Sequence, residues 1–206
     1  MTARRRVRVA VFISGGGTNL QSLIDSATSP DYPAEIALVI SSSKTAFGLE
    51  RARRHGVSSI TLRQRDFDSE QDFANGMLAV LDQHRIDLIC LAGYLKLVPD
   101  ATVKRYRDRI LNIHPALLPK FGGQGMYGMH VHEAVIASHE SESGATVHFV
   151  DEVYDNGQIL LQRKVPVLPD DTPDTLQQRV LQVEHELYPE ALAKAAFDLM
   201  SDPEWR

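Results

Sequence analysis

The chain has 206 residues, of which 43% are hydrophobic and 24% charged, with a formal net charge of −5. That length fits one domain with a sizeable core, and the composition is that of an ordinary soluble globular protein. The acidic balance argues against a nucleic-acid surface, no apolar run approaches the ~20 residues of a membrane span, and a single cysteine, Cys90, excludes an intrachain disulfide.

Thr2-Ala3-Arg4-Arg5-Arg6 precedes an apolar run, but Arg8 interrupts that run and Ser14-Gly15-Gly16-Gly17 follows without a small-residue cleavage site. The segment reads as a first strand with a basic fringe in a cytoplasmic protein, not as a signal peptide. Apolar, β-rich runs at 6–13, 36–41, 58–62, 87–91 and 110–113 alternate with helical patterns at 19–27, 46–55, 69–84 and 99–107. In the third helix Phe73, Met77, Val80, Leu81 and His84 recur at helical spacing, and Asp68 or Ser69 caps its start. Continuous rather than alternating apolar strands in a repeated β-α-β order predict a parallel sheet covered on both faces. Cys90 lies within the apolar run 86–92 and is expected to be a core thiol.

The pattern changes after His114. A Gly-rich loop, 121–128, leads to a predicted helix at 131–138, then strands at 145–150 and 159–165 separated by a short polar segment. Those two strands fit antiparallel neighbours, which makes the sheet mixed at its C-terminal end. Thr172 caps a last helix with Pro173 at its first position, Leu176, Val180, Val183 and Leu187 form its apolar face, and Pro189 is expected to kink or interrupt it. The fold class is therefore α/β: a Rossmann-like, mostly parallel twisted sheet with helices on both faces. The chain, 1–206, reads as one domain.

Five segments are candidates to carry chemistry. Asn112 and His114 are two residues apart, so on a strand they share a face, and Pro115 ends the strand there. In an open α/β sheet that edge is where ligands bind. An amide and an imidazole side by side suit oxyanion stabilisation and proton transfer. Ser14-Gly15-Gly16-Gly17-Thr18-Asn19 joins the first strand to the first helix, and its N–H groups suit a phosphate. It is not a dinucleotide fingerprint, because the third glycine position falls on Leu20 and no acid ends the second strand. It is not a Walker loop either, so a phosphate monoester fits best. Asp155-Asn156-Gly157 is ordinary turn chemistry, yet a turn folded over the sheet edge would let Asp155 reach His114, orient it and raise its pKa. His130 and His132, with His139 nearby, invite a metal, but residues two apart on a helix do not share a face, and no metal is expected. The loop carrying Leu95, Lys96, Leu97 and Val98 suits a flat heteroaromatic ligand.

Together these segments resemble the glycinamide ribonucleotide formyltransferases, folate-dependent enzymes of purine synthesis. The resemblance runs from Val9 to about Tyr188. It is carried by Ile13-Ser14-Gly15-Gly16-Gly17-Thr18-Asn19-Leu20-Gln21, Ala46-Phe47-Gly48-Leu49-Glu50-Arg51-Ala52, Leu91-Ala92-Gly93-Tyr94, Leu111-Asn112-Ile113-His114-Pro115-Ala116-Leu117-Leu118-Pro119-Lys120, Thr146-Val147-His148-Phe149-Val150, Asp155 and Glu184-His185-Glu186-Leu187-Tyr188-Pro189. It implies direct transfer of a formyl group from 10-formyltetrahydrofolate, as co-substrate, to the amine of glycinamide ribonucleotide. Asn112, His114 and Asp155 would be catalytic, and Gly17, Thr18, Asn19 and Glu184 would hold the nucleotide. Leu95, Lys96, Leu97 and Val98 would line the folate slot. The implied partners are these two small molecules, with no metal, nucleic acid or membrane, in a monomer or homodimer. This chain departs from many relatives in its longer 121–128 loop, and in Ser143, where some have His. A formyl-folate hydrolase would carry an added N-terminal regulatory domain, and an initiator-tRNA formyltransferase a basic C-terminal one. A non-catalytic phosphometabolite module would not require Asn112, His114 and Asp155 to converge.

Overall fold

A computed structural model describes residues 5–153, 155–203 and 205; the basic leader Thr2-Ala3-Arg4 lies outside the described residues. Among the described residues seven strands form one sheet in the order β3-β2-β1-β4-β5-β6-β7. They are β1 (Val7–Ile13), β2 (Ala34–Ser41), β3 (Ser59–Thr61), β4 (Leu88–Leu91), β5 (Ile110–His114), β6 (Glu142–Phe149) and β7 (Ile159–Pro166). The first five are parallel, and β6 and β7 are antiparallel additions at one end, so the expected mixed α/β sheet is what the chain forms. The helices are α1 (Thr18–Ala27), α2 (Phe47–Arg54), α3 (Glu70–Gln83), α4 (Asp100–Arg105), α5 (Met129–Ala137) and α6 (Pro173–Ser201).

The centre of the sheet is buried on both faces, which is why β1 is a continuous apolar run. Val7, Val9, Val11 and Ile13 join one core, with Leu20 of α1 and Leu176, Val180 and Tyr188 of α6. Ala10 and Phe12 point the other way, into a second core with Phe73, Met77 and Leu81 of α3. The alternation follows the two-residue period of a strand. Cys90 is fully buried, and burial pushes its thiol up to about 12.

Two local expectations need revision, and one further element was not anticipated. Of the kink or interruption expected at Pro189 in helix α6, the interruption does not occur. The helix runs unbroken from Pro173 to Ser201, because Leu187, Tyr188, Ala191 and Leu192 are packed on both sides of the proline. That packing outweighs the ~3 kcal/mol a mid-helix proline typically costs. The Pro189 carbonyl also accepts a hydrogen bond from Tyr32 Oη at 2.7 Å. Strand β6 begins at Glu142, earlier than the apolar run 145–150, because Glu142, Ser143 and Gly144 already pair with Pro166, Val165 and Lys164 of β7. A short 3₁₀ turn, Gln64–Asp66, precedes α3. Among the described residues no helix is long and apolar enough to cross a membrane.

Parallel strands place their C-terminal ends at one edge of the sheet. The order 3-2-1-4-5 reverses direction between β1 and β4, and a crevice opens there, beyond the strand ends.

Candidate active site

The Gly-rich turn leaves β1 and enters α1 at that crevice. Gly17 adopts the left-handed region at φ 70°, and a Cβ there would come within 2.8 Å of Gly48 Cα. Gly15 O accepts from Gly48 N at 3.1 Å and Gly16 O from Arg51 Nε at 2.9 Å, so α2 holds the turn from behind. No acidic residue or side-chain cap occupies the first turn of α1, so its orphan N–H groups remain available to an anion. Asn19, one residue beyond Thr18, donates from Nδ2 to Glu184 Oε2 of α6 at 2.7 Å. Burial pushes the Glu184 carboxyl up to about 7, against the opposing Asn19 hydrogen bond. The turn is also tied to the loop after β4, since Ser14 N donates to Gly93 O at 3.1 Å and Leu95 N donates to Ser14 Oγ at 2.8 Å.

On the other side of the crevice, β5 presents Asn112 and His114 just before Pro115. Strand β6 lies antiparallel, with His148 opposite Asn112 and Thr146 opposite His114. Asn112 Nδ2 is 3.1 Å from His148 Nε2. The His148 Nδ1–H donates to Phe149 O at 2.8 Å, and the His114 Nε2–H to Phe121 O at 2.7 Å. Asp155, with φ 52°, stands between the two imidazoles: Oδ2 is 3.7 Å from His114 Nδ1 and Oδ1 is 3.5 Å from His148 Nε2. Gly123 N donates to Asp155 Oδ2 at 2.9 Å, which docks the Gly-rich 121–128 loop on the cluster. A Cβ at Gly157 would run into the Phe149 carbonyl, so the turn that delivers Asp155 needs glycine there.

The expected elevation of the His114 pKa does not hold. Its pKa is lowered, because burial of the ring outweighs the upward pull of Asp155 and of the Phe121 carbonyl. At rest His114 is a neutral imidazole with its hydrogen on Nε2. Burial also pushes the Asp155 carboxyl upward, but the His148 ring 3.5 Å away, the hydrogen bond from Gly123 and the nearby His114 imidazole together hold it below its usual range. The pair at 3.7 Å is beyond hydrogen-bond reach, so Asp155 acts on His114 through charge.

These two sides enclose one cleft of about 840 Å³. Gly17, Thr18, Asn19, Leu95, Lys96, Leu97, Val98, Asn112, His114, Asp155 and Glu184 all line it, so the structure brings these candidates from the sequence to one place, whereas His130 and His139 do not line it. Leu95 and Leu97 are more than half exposed, an apolar rim with no protein covering it. Ser143 is buried and not part of the lining, and its Oγ has no partner. Two lining histidines escaped the sequence reading. His148 sits in an apolar strand and reads as core, and only the β5–β6 register exposes its role. In the sequence His132 reads only as a possible metal ligand. It is buried, with its pKa driven down to about 4 by burial and by His114, and its Nδ1 lacks a partner. Among the described residues no group of three His, Cys, Asp or Glu is placed to hold a metal ion.

The formyl transferase family model matches residues 7–192. A phosphoribosylglycinamide formyltransferase of Haemophilus influenzae is 40% identical over 88% of this chain and 84% of its own length. The trifunctional purine biosynthetic protein adenosine-3 of Drosophila melanogaster is 44% identical over 94% of this chain, which spans only 14% of that protein. A crystal structure of phosphoribosylglycinamide formyltransferase from Brucella melitensis superposes with a TM-score of 0.87 at 45% identity, covering 93% of this chain and 96% of that one.

Proposed function

The chain belongs to the formyl transferase family, and from that premise we propose that it transfers the formyl group of 10-formyltetrahydrofolate to the amine of glycinamide ribonucleotide. The observation that carries this reading is the single cleft, in which an anion-ready helix start and the Asn112–His114–Asp155 cluster line the same space. The nucleotide phosphate takes the N–H groups of Gly17, Thr18 and Asn19, and its ribose end meets Glu184. The folate ring takes the slot of Leu95, Lys96, Leu97 and Val98, whose apolar rim suits a flat heterocycle.

As the amine bonds to the formyl carbon, negative charge grows on the formyl oxygen and the amine becomes acidic. Asn112 donates to the oxygen from Nδ2. His114, neutral at rest because it is buried, takes up the proton the amine loses. The Asp155 carboxylate, 3.7 Å from Nδ1, stabilises the resulting imidazolium. That proton then goes to the folate nitrogen as its bond to the formyl carbon breaks, which returns His114 to its neutral form. No metal is required. Removal of one donor of this kind typically lowers kcat ~10²–10³-fold.

The same reading has one domain, a nucleotide-binding part at about 1–110 joined to a folate and catalytic part at about 91–206. It acts in the cytoplasm on two small molecules, without nucleic acid or membrane, as a monomer or homodimer. The test is to mix the protein with 10-formyltetrahydrofolate and follow folate absorbance with and without glycinamide ribonucleotide. Turnover is expected only with the amine present. Equal turnover without it would replace the transferase with a hydrolase.

A further inference from the structure

Asn112 and His148 are directly opposed on β5 and β6. Opposed residues of an antiparallel pair project from the same face, close enough for their side chains to interact. Here both side chains also line the cleft. The contact between Asn112 Nδ2 and His148 Nε2, at 3.1 Å, is the only hydrogen bond to the Asn112 amide among the described residues.

The direction of that bond follows from the far side of the ring. His148 Nδ1 lies 2.8 Å from Phe149 O. A carbonyl oxygen only accepts, so Nδ1 carries the hydrogen. A neutral imidazole has one N–H, and Nε2 is then a bare acceptor. The Asn112 atom facing it must be the NH₂ group, because the carbonyl oxygen would set two lone pairs against each other. Asp155 Oδ1, 3.5 Å from the same Nε2, favours a hydrogen there instead. The shorter contact to Phe149 opposes it, so the ring tautomer decides which way the amide turns.

We infer that His148 is a positioning residue for the transfer proposed above: held as its Nδ1–H tautomer by the Phe149 carbonyl, it locks the Asn112 amide so that the second Nδ2 hydrogen faces the reacting oxygen in the cleft. The inference rests on that reading of function. An oxyanion donor is effective only when it is oriented before charge develops. A primary amide, whose two ends have the same shape, has no such preference of its own. His148 supplies the preference from a buried, fully hydrogen-bonded ring, 2% exposed.

Two measurements test this. The first needs no catalysis: ¹H–¹⁵N correlation of the imidazoles in the ligand-free protein should show His148 with its hydrogen on Nδ1, and a hydrogen on Nε2 overturns the inference. The second is a mutant cycle. His148→Leu should lower kcat ~10–100-fold while the KM for glycinamide ribonucleotide stays within ~3-fold; in an Asn112→Ala background the same change should cost under ~3-fold, because no amide remains to be oriented. His148→Gln, whose side-chain oxygen still accepts from Asn112, should keep kcat within ~5-fold of the parent. Equal losses in both backgrounds would show a merely structural role and remove the inference. Should His148→Leu fail to fold, the glutamine variant decides alone: a kcat as low as that of Asn112→Ala, with nucleotide affinity intact, overturns it. A parent protein without amine-dependent transfer removes the functional reading and the inference with it. An active parent with additive losses removes only the inference.

Discussion

On the β1–β4 side of the cleft, the groups offered to a ligand are mostly main-chain N–H groups, fixed by the left-handed Gly17 and by α2 packed behind the turn. On the β5–β6 side they are side chains, Asn112, His114, His148 and Asp155, gathered from two strands and a turn. Main-chain groups at a helix start recognise charge and shape, and hardly change between ground state and transition state. Side chains aimed at a reacting atom act where charge develops. The β1–β4 side should therefore govern affinity and the β5–β6 side rate, since only interactions that strengthen in the transition state raise kcat.

The largest expected effect tests the rate side. Asn112→Ala and His114→Ala should each lower kcat ~10²–10³-fold, with nucleotide affinity by isothermal titration within ~3-fold of the parent. A comparable loss of affinity would erase the division between the two sides.

The next concerns Glu184, whose carboxyl is raised from 4.5 to about 7 by burial. The folded protein holds this proton over a range in which the unfolded chain has lost it. Stability therefore falls as pH rises from 4.5 to 7, and the contribution is fully present only below 4.5. Urea unfolding of the parent and of Glu184→Gln should show the parent losing stability relative to the variant across that window, by at most on the order of 3 kcal/mol. A flat difference would mean Glu184 is charged in the folded protein.

Gly17→Ala sharpens the affinity side. It places a Cβ at φ 70° and within 2.8 Å of Gly48 Cα. Expected are nucleotide binding ~10-fold weaker and stability lower by ~1–2 kcal/mol, with single-turnover transfer at saturating nucleotide close to the parent rate. A rate defect of the Asn112→Ala size would place this turn in the chemistry.

Smallest, and readable without substrate, is the effect of Asp155 on His114. The Asp155 charge raises the His114 pKa against the stronger downward effect of burial. Asp155→Asn should therefore move the His114 NMR titration to lower pH than in the parent. A shift to higher pH would contradict the coupling.

How much of this was legible beforehand depended on whether a residue's role is local. Asn112 and His114 stand out because a two-residue spacing before a proline fixes a face and an end without knowledge of the rest of the chain. The Gly-rich turn was legible for the same reason. His148 was not, because its meaning depends on which β5 residue it faces, and that register is set by the packing of the whole sheet. The charge of His114 was misjudged because the sequence gives its carboxylate neighbour but not the burial that outweighs it. Pro189 shows the converse: the local rule is sound, and the packing around Tyr188 and Leu192 overrides it.

The central claim is that the cleft holds donor and acceptor together for direct transfer. Incubation with 10-formyltetrahydrofolate carrying ¹³C in the formyl group, followed by mass spectrometry of the nucleotide and assay of labelled formate, tests it directly. The account predicts label on the nucleotide amine, stoichiometric with folate consumed, and background formate with or without the nucleotide. Labelled formate released at the same rate when the nucleotide is left out would contradict it.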